Sequence, residues 1–204
     1  MSLQPFTQVT GQAAPMLAAN IDTDVIMPKQ FLKGIDRAGL DRGLFFDLRF
    51  LPNGAPNPEF VLNQPAWLGA RFMVVGPNFG CGSSREHAVW GLKQMGIRAL
   101  IGSSFAGIFY DNCQRNGVLL IALDEAVLHT LGQTVSQPAQ AQISVDLEAQ
   151  QIRLADGQVI SFQIDTLRKT ALLLGLGAIG STLQRSEQIK TFERQHLAAN
   201  PWLG

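Results

Sequence analysis

The sequence predicts an α/β fold with a mostly parallel β-α-β-α-β core and further strands and helices C-terminal to it. Three observations carry this expectation. Apolar runs at 71–76, 98–102 and 118–121 have strand length and are separated by two segments of helix length. Strands joined through helices pair in parallel with right-handed crossovers. Downstream, residues 141–147, 150–154 and 158–164 alternate apolar and polar side chains, as half-buried strands do. A chain of 204 residues can bury one substantial core, so 1–204 is expected to form a single domain.

Residues 6–19 alternate loosely and predict a short strand ending in a turn at Pro15. Asn20 to Lys29 reads as a polar loop carrying Asp22 and Asp24, side chains that favour turns and helix N-caps. Pro28 suits a first helical turn, so a short helix is expected at 29–33, closed by Gly34. Residues 36–44 predict another short helix. Leu44 to Phe50 is an aromatic cluster around Arg49. Such clusters are core or partner surface, and an arginine in apolar surroundings is a candidate carboxylate binder. Residues 52–58 are turn material.

Strand 71–76 runs into Asn78-Phe79-Gly80-Cys81-Gly82-Ser83-Ser84-Arg85-Glu86-His87-Ala88. A helix is expected from Ser84 to Met95, closed by Gly96. A second strand at 98–102, a helix from Phe105 to Arg115, a turn at Asn116-Gly117 and a third strand at 118–121 complete the core. Asp124 is placed to cap a helix reaching Val135, and Asp165 one reaching Leu174. Leu147-Glu148-Ala149 and Ala155-Asp156-Gly157 supply hairpin turns. Residues 186–199 form an amphipathic helix.

Composition narrows the function classes. Charged residues make up 16%, against a usual value of about 25%. A surface so poor in charge hints that a partner covers part of it. Net charge is zero, which leaves no basic footprint for nucleic acid and no polybasic membrane patch. Two cysteines, Cys81 and Cys113, are too few for a disulfide framework or a four-thiolate metal site. The N-terminus lacks a basic and an apolar signal region, and no apolar run approaches the ~20 residues of a membrane helix. A soluble, cytoplasmic protein is expected.

Gly175-Leu176-Gly177-Ala178-Ile179-Gly180 is a literal G-x-G-x-x-G. A dinucleotide site needs a strand before it and a second strand and acid after it. A helix precedes these glycines and too little chain follows, so they are expected to end that helix.

The turn at 78–88 is the candidate centre of chemistry. No Gly-Lys-Ser/Thr follows, which excludes a Walker A loop, and no G-x-S-x-G is present for a nucleophile elbow. A Cys81 nucleophile would require His87 to reach back across the turn. A hydroxyl-based site fits better. Gly80 and Gly82 permit close backbone approach, and Ser83 and Ser84 lie where the strand passes into the helix. Arg85 adds a cation suited to a carboxylate, while Glu86 and His87 are placed to orient the turn. A serine alkoxide would need the helix N-terminus, neighbouring N–H groups and Arg85 for stabilisation. An anion-holding helix cap without catalysis is the competing reading.

Residues 78–88 resemble the signature of the small, swivelling β/β/α subunit or domain of the aconitase superfamily. Asn20-Ile21-Asp22-Thr23-Asp24 with Pro28-Lys29-Gln30-Phe31-Leu32 is similar to that family's early loop. Ser104-Phe105-Ala106, Ile108-Phe109 and Asn112 are similar to its second helix, and Asp165-Thr166-Leu167-Arg168 with Gly175-Leu176 and Ile179-Gly180 to its C-terminal region. The long early section with Phe45 to Phe50 resembles the bacterial small subunits of 3-isopropylmalate dehydratase. Arg115 departs from the pattern, which has a polar amide there, and residues 200–204 find no match.

The resemblance implies a heteromeric hydro-lyase of leucine biosynthesis. 2-Isopropylmalate would lose water to 2-isopropylmaleate and regain it as 3-isopropylmalate. It implies a [4Fe–4S] cluster as Lewis acid, held by the large subunit and not by this chain. It implies Ser83 as the base that takes the carbon-bound proton, and Ser84 and Arg85 as binders of substrate carboxylate. Asp24 and Lys29 would belong to the early active-site loop, and Arg49 to a substrate-selecting region. A sister dehydratase acting on homoaconitate, citraconate or dimethylmalate, and a stand-alone dicarboxylate-binding module, are the alternatives.

Overall fold

The computed structural model describes residues 3–33 and 38–203. The expected helix closure at Gly34 and the start of the helix expected at 36–44 lie outside the described residues. The chain runs β1 (Gln8–Met16), α1 (Thr23–Ile26), α2 (Phe46–Arg49), β2 (Phe72–Val75), α3 (Glu86–Gln94), β3 (Ala99–Gly102), α4 (Gly107–Asn116), β4 (Leu119–Ala122) and α5 (Glu125–Val135). Then follow β5 (Gln142–Asp146), β6 (Gln151–Arg153), β7 (Val159–Ser161), α6 (Thr166–Leu173), α7 (Ala178–Leu183) and α8 (Ser186–Ala199). Short 3₁₀ turns at Lys29–Leu32 and Leu40–Arg42 stand where the two early helices are expected.

Seven strands form one sheet in the order β4-β3-β2-β1-β5-β6-β7. β2 to β4 pair in parallel, as the apolar runs predict; β1 also pairs in parallel with β2, and β5 to β7 pair antiparallel on the other side of β1. Every residue of β2 and β3 is buried, because helices cover both faces of the parallel half. The period of two divides the strand side chains between two cores. Met73, Val75, Leu100 and Leu120 join Ala88, Val89 and Leu92 of α3 and Phe109 and Cys113 of α4. Phe72, Val74, Ala99, Ile101, Leu119 and Ile121 join Leu128, Leu131 and Val135 of α5 and Leu172 of α6.

Two expectations need correction. β1 does not turn at Pro15 but runs through it, pairing Pro15 with Val74 of β2. The N–H of Ala13 donates to Ala141 at 2.8 Å, just before β5 begins. Two residues on, the missing N–H of Pro15 faces the same side beyond the end of β5, where the strand is an edge and proline is tolerated. Asp124 precedes α5 but its side chain makes no cap hydrogen bond. Asp165, by contrast, accepts from the N–H groups of Leu167 and Arg168 and caps α6 as expected. Gly175, at φ +63°, ends α6, and Gly177 begins α7 without the preceding strand that a dinucleotide motif requires. α8 forms where expected but buries none of its side chains.

Candidate active site

The turn after β2 is strapped between two neighbouring segments beyond the C-terminal edge of the parallel strands. On one side, Gly80 donates to Ile21 O at 2.8 Å and Thr23 N–H to Cys81 O at 2.9 Å, with a parallel bridge between Asp22 and Cys81. On the other, Ala106 N–H donates to Phe79 O at 3.1 Å and Asn78 N–H to the Ser104 hydroxyl at 2.9 Å. The β1-β2-β3 order thus continues past the sheet as three linked loops. Open α/β sheets bind ligands at this edge.

Two glycines make the path possible. Gly80 has φ +77°, and a Cβ there would stand 2.2 Å from Cγ of Phe109, whose ring fills the space. Gly82 has φ +83° and lies against the Asp22 side chain. Such backbone conformations are costly for other residues. Thr23, 1% exposed, donates its hydroxyl to Ser83 O at 2.6 Å. Asp22 caps α1, accepting from Val25 N–H at 2.8 Å.

Ser83 and Ser84 are exposed, and among the described residues no hydrogen bond engages their hydroxyls. α3 starts two residues after the expected Ser84, with Arg85 as the residue before it and no side chain capping it. Ala88 N–H donates to Arg85 O at 3.2 Å, and the first turn otherwise has no side-chain cap. The Arg85 side chain is 10% exposed and pairs with Asp24, with a further contact from Nη1 to Met27 O at 3.4 Å. A guanidinium has donors for more than one acceptor, so this pairing orients Arg85 without exhausting it. Lys29 is exposed, two residues beyond Met27, and makes no ion pair among the described residues.

The structure does not bring the other candidates to the turn's open side. Glu86 accepts from Asn116 Nδ2 at 2.8 Å, and Asn116 in turn accepts from Trp90 Nε1 at 3.0 Å, which ties α3 to α4. His87 packs on Trp90 with ring centroids 4.7 Å apart instead of reaching back to Cys81. Arg49 lies away from the turn. Its Nη1 donates to Asp41 O at 2.6 Å and Leu44 O at 3.2 Å, and its guanidinium lies over Phe50. Burial pulls its pKa below the ordinary value, opposed by the Asp41 carboxylate. It lines a groove with Gln94 and Met95 at the C-terminal end of α3, a helix length of about 13 Å from Arg85. The aromatic run gave no warning that backbone carbonyls would claim this arginine.

Sequence reasoning gave no individual role to Thr23, Asn78, Ser104 or Asn116. Thr23 alone carried a local signal, a hydroxyl between two carboxylates just before a helix. The others act across the fold. No group of three or more His, Cys, Asp or Glu among the described residues could hold a metal ion. Cys113 is fully buried, which pushes its thiol pKa well up, and Cys81 is half-buried in the turn. These residues do not fit a [4Fe–4S] cluster.

Residues 3–126 match the family model of the aconitase C-terminal domain, and residues 130–166 a model described as LeuD_N. Residues 179–204 match the model of the C-terminal domain of the 3-isopropylmalate dehydratase small subunit, which includes the terminal stretch expected to have no counterpart. The chain is 61% identical over 98% of its length, and 99% of the relative's, to 3-isopropylmalate dehydratase small subunit 1 of Mannheimia succiniciproducens. It is 57% identical, with 98% and 96% coverage, to small subunit 2 of Salmonella typhimurium. The crystal structure of 3-isopropylmalate dehydratase from Methanocaldococcus jannaschii superposes with a TM-score of 0.67 at 26% identity, covering 91% of this chain and 99% of that one. With this fold, this turn and these relatives, the chain belongs to the family of 3-isopropylmalate dehydratase small subunits.

Proposed function

We propose that this chain is the small subunit of a hydro-lyase that interconverts 2-isopropylmalate and 3-isopropylmalate through 2-isopropylmaleate in leucine biosynthesis, active only with a large subunit. The turn at 78–85 carries the reading. Two exposed, unengaged serine hydroxyls sit beside an oriented arginine and an uncapped helix N-terminus, on a chain closely similar to proteins of that name. Ser83 takes the proton from the substrate carbon adjacent to a carboxylate, and the hydroxyl leaves from the neighbouring carbon. Water then returns to the other carbon of the resulting double bond. Ser84 and Arg85 bind a carboxylate, with Asp24 holding the guanidinium and Lys29 on the same early loop. Arg49 stands at the other end of α3 with its Nη1 on backbone carbonyls and donors to spare, and is retained as a candidate for the substrate-selecting region. The positive end of α3 favours the anionic form of Ser83. The [4Fe–4S] cluster belongs to the large subunit, where it would act as Lewis acid on the leaving hydroxyl. Among the described residues no helix is long and apolar enough to cross a membrane, and a cytoplasmic location suits this chemistry.

Reconstitution with a cluster-bearing large subunit should give isomerase activity. Ser83→Ala should lower kcat by about 10²–10⁴-fold with the complex still assembled, and near-normal turnover would remove Ser83 as the base. Comparing kcat/KM for isopropylmalate, citramalate-type and homocitrate-type acids separates the sister substrates. Tight dicarboxylate binding by the isolated chain in calorimetry would favour a stand-alone module instead.

A further inference from the structure

The C-terminal hairpin carries apolar surface that none of the described residues covers. On α7, Ile179 and Leu183 are 76% and 62% exposed. On α8 and the 3₁₀ turn Pro201–Leu203, Phe192 is 65%, Leu197 45%, Trp202 76% and Leu203 57% exposed. A groove of about 570 Å³ lies between α6 and this hairpin, lined by Leu167, Ala171, Leu176 and Ile189 among others. An amphipathic helix with no buried residue is half of a contact.

We infer that this hairpin is the docking face for the large subunit that the proposed function requires, an inference resting on that reading. Three observations select this occupant. The six side chains together expose on the order of 800 Å², the share one partner contributes to a stable interface of about 1,600 Å². The elements beside the hairpin also connect to the active site. Leu167, 74% exposed, adjoins Arg168, which lies over the Tyr110 ring at 4.5 Å. Tyr110 stands in α4 beside Phe109, which fills the space at Gly80, and Ile108 is 60% exposed. A partner that completes the site at the turn can therefore extend along this path to the hairpin. Finally, the polar face of α8 is balanced, with Glu187 and Glu193 against Lys190 and Arg194, and Lys190 bonded to Glu187 at 3.1 Å. It lacks the cationic excess of a helix that lies on an anionic membrane.

The test uses the full chain with the double substitution Phe192→Asp and Trp202→Glu, and separately Ile179→Glu on α7. All three positions are exposed, so circular dichroism and the melting temperature should stay near wild type. Association with the large subunit, read by calorimetry, should weaken at least tenfold, while isomerase kcat returns at saturating large subunit because the turn is untouched. Association within twofold of wild type for folded variants overturns the inference. So does a wild-type homodimer, seen by light scattering, that loses its dimeric state in these variants and persists when large subunit is added. A wild-type pair that associates but does not turn over isopropylmalate defeats the proposed substrate and leaves the docking face to be judged on binding alone.

Discussion

Thr23 holds the main chain of the proposed base. Its buried hydroxyl donates to Ser83 O at 2.6 Å, and its N–H donates to Cys81 O, so one residue fixes the turn on both sides of Gly82. Val has nearly the shape of Thr without the donor, and its loss leaves a carbonyl short of a partner. Thr23→Val should lower kcat of the reconstituted enzyme about tenfold with a smaller change in KM, and Thr23→Ser should restore most of it. A mainly structural effect would instead lower the melting temperature and leave kcat at saturation alone. Gly80 is the second test at this scale. Alanine there meets both a positive φ and the Phe109 ring, so Gly80→Ala should cost about 2–3 kcal/mol in denaturant unfolding. The placement of Ser83, Ser84 and Arg85 between glycines and a helix start was legible from the sequence. The Asp24–Arg85 pair was not, since nothing local links the two loops. The carbonyl partners of Arg49 were not legible for the same reason: which acceptors surround a side chain is decided by the fold.

The elements were legible where local chemistry and burial agree. Asp165 was expected to cap α6 and does, so Asp165→Ala should destabilise the chain by about 1 kcal/mol in chemical denaturation. The same reasoning placed a cap at Asp124, where the side chain bonds nothing in α5; Asp124→Ala should cost clearly less. Pro15 misled because a turn residue and an edge position share one requirement, a backbone without a donor. α4 supplies a pH-dependent test. Burial raises the Cys113 thiol pKa well above its ordinary value, so the folded chain keeps a proton that the unfolded chain loses above about pH 8.5. Unfolding then releases that proton, and stability falls as pH rises through this range. Melting curves from pH 7 to 10 should show the decline, and Cys113→Ala should flatten it. An unchanged slope would assign the decline to other groups.

At the scale of the whole molecule, the loops of the parallel half carry the candidate site and the antiparallel half extends the sheet. β1 joins them, pairing β2 along Ala13–Met16 and β5 along Gln8–Gln12. The βαβ order made β2 to β4 legible, whereas the placement of β1 beside β2 and of β5 beside β1 depends on contacts far apart in sequence. The two cores lie on opposite faces of one sheet, and strand residues alternate between them. We propose on this ground that residues 1–204 unfold as one cooperative unit. Trp67 gives the idea a specific handle. Its ring is packed in the core with α3 and α4, while its Nε1 donates to Val135 O at 3.1 Å, at the end of α5 in the other core. Trp67→Phe keeps most of the apolar ring but leaves that buried carbonyl without its donor, at a cost of about 1–3 kcal/mol. If the cores are one unit, the loss lowers the midpoint of the whole transition. Far-UV dichroism and the fluorescence of Trp90 and Trp202 should then move together, with the denaturant slope unchanged. If the substitution instead splits the curve, the two faces unfold separately, and the chain must be described as two folding units that share a sheet.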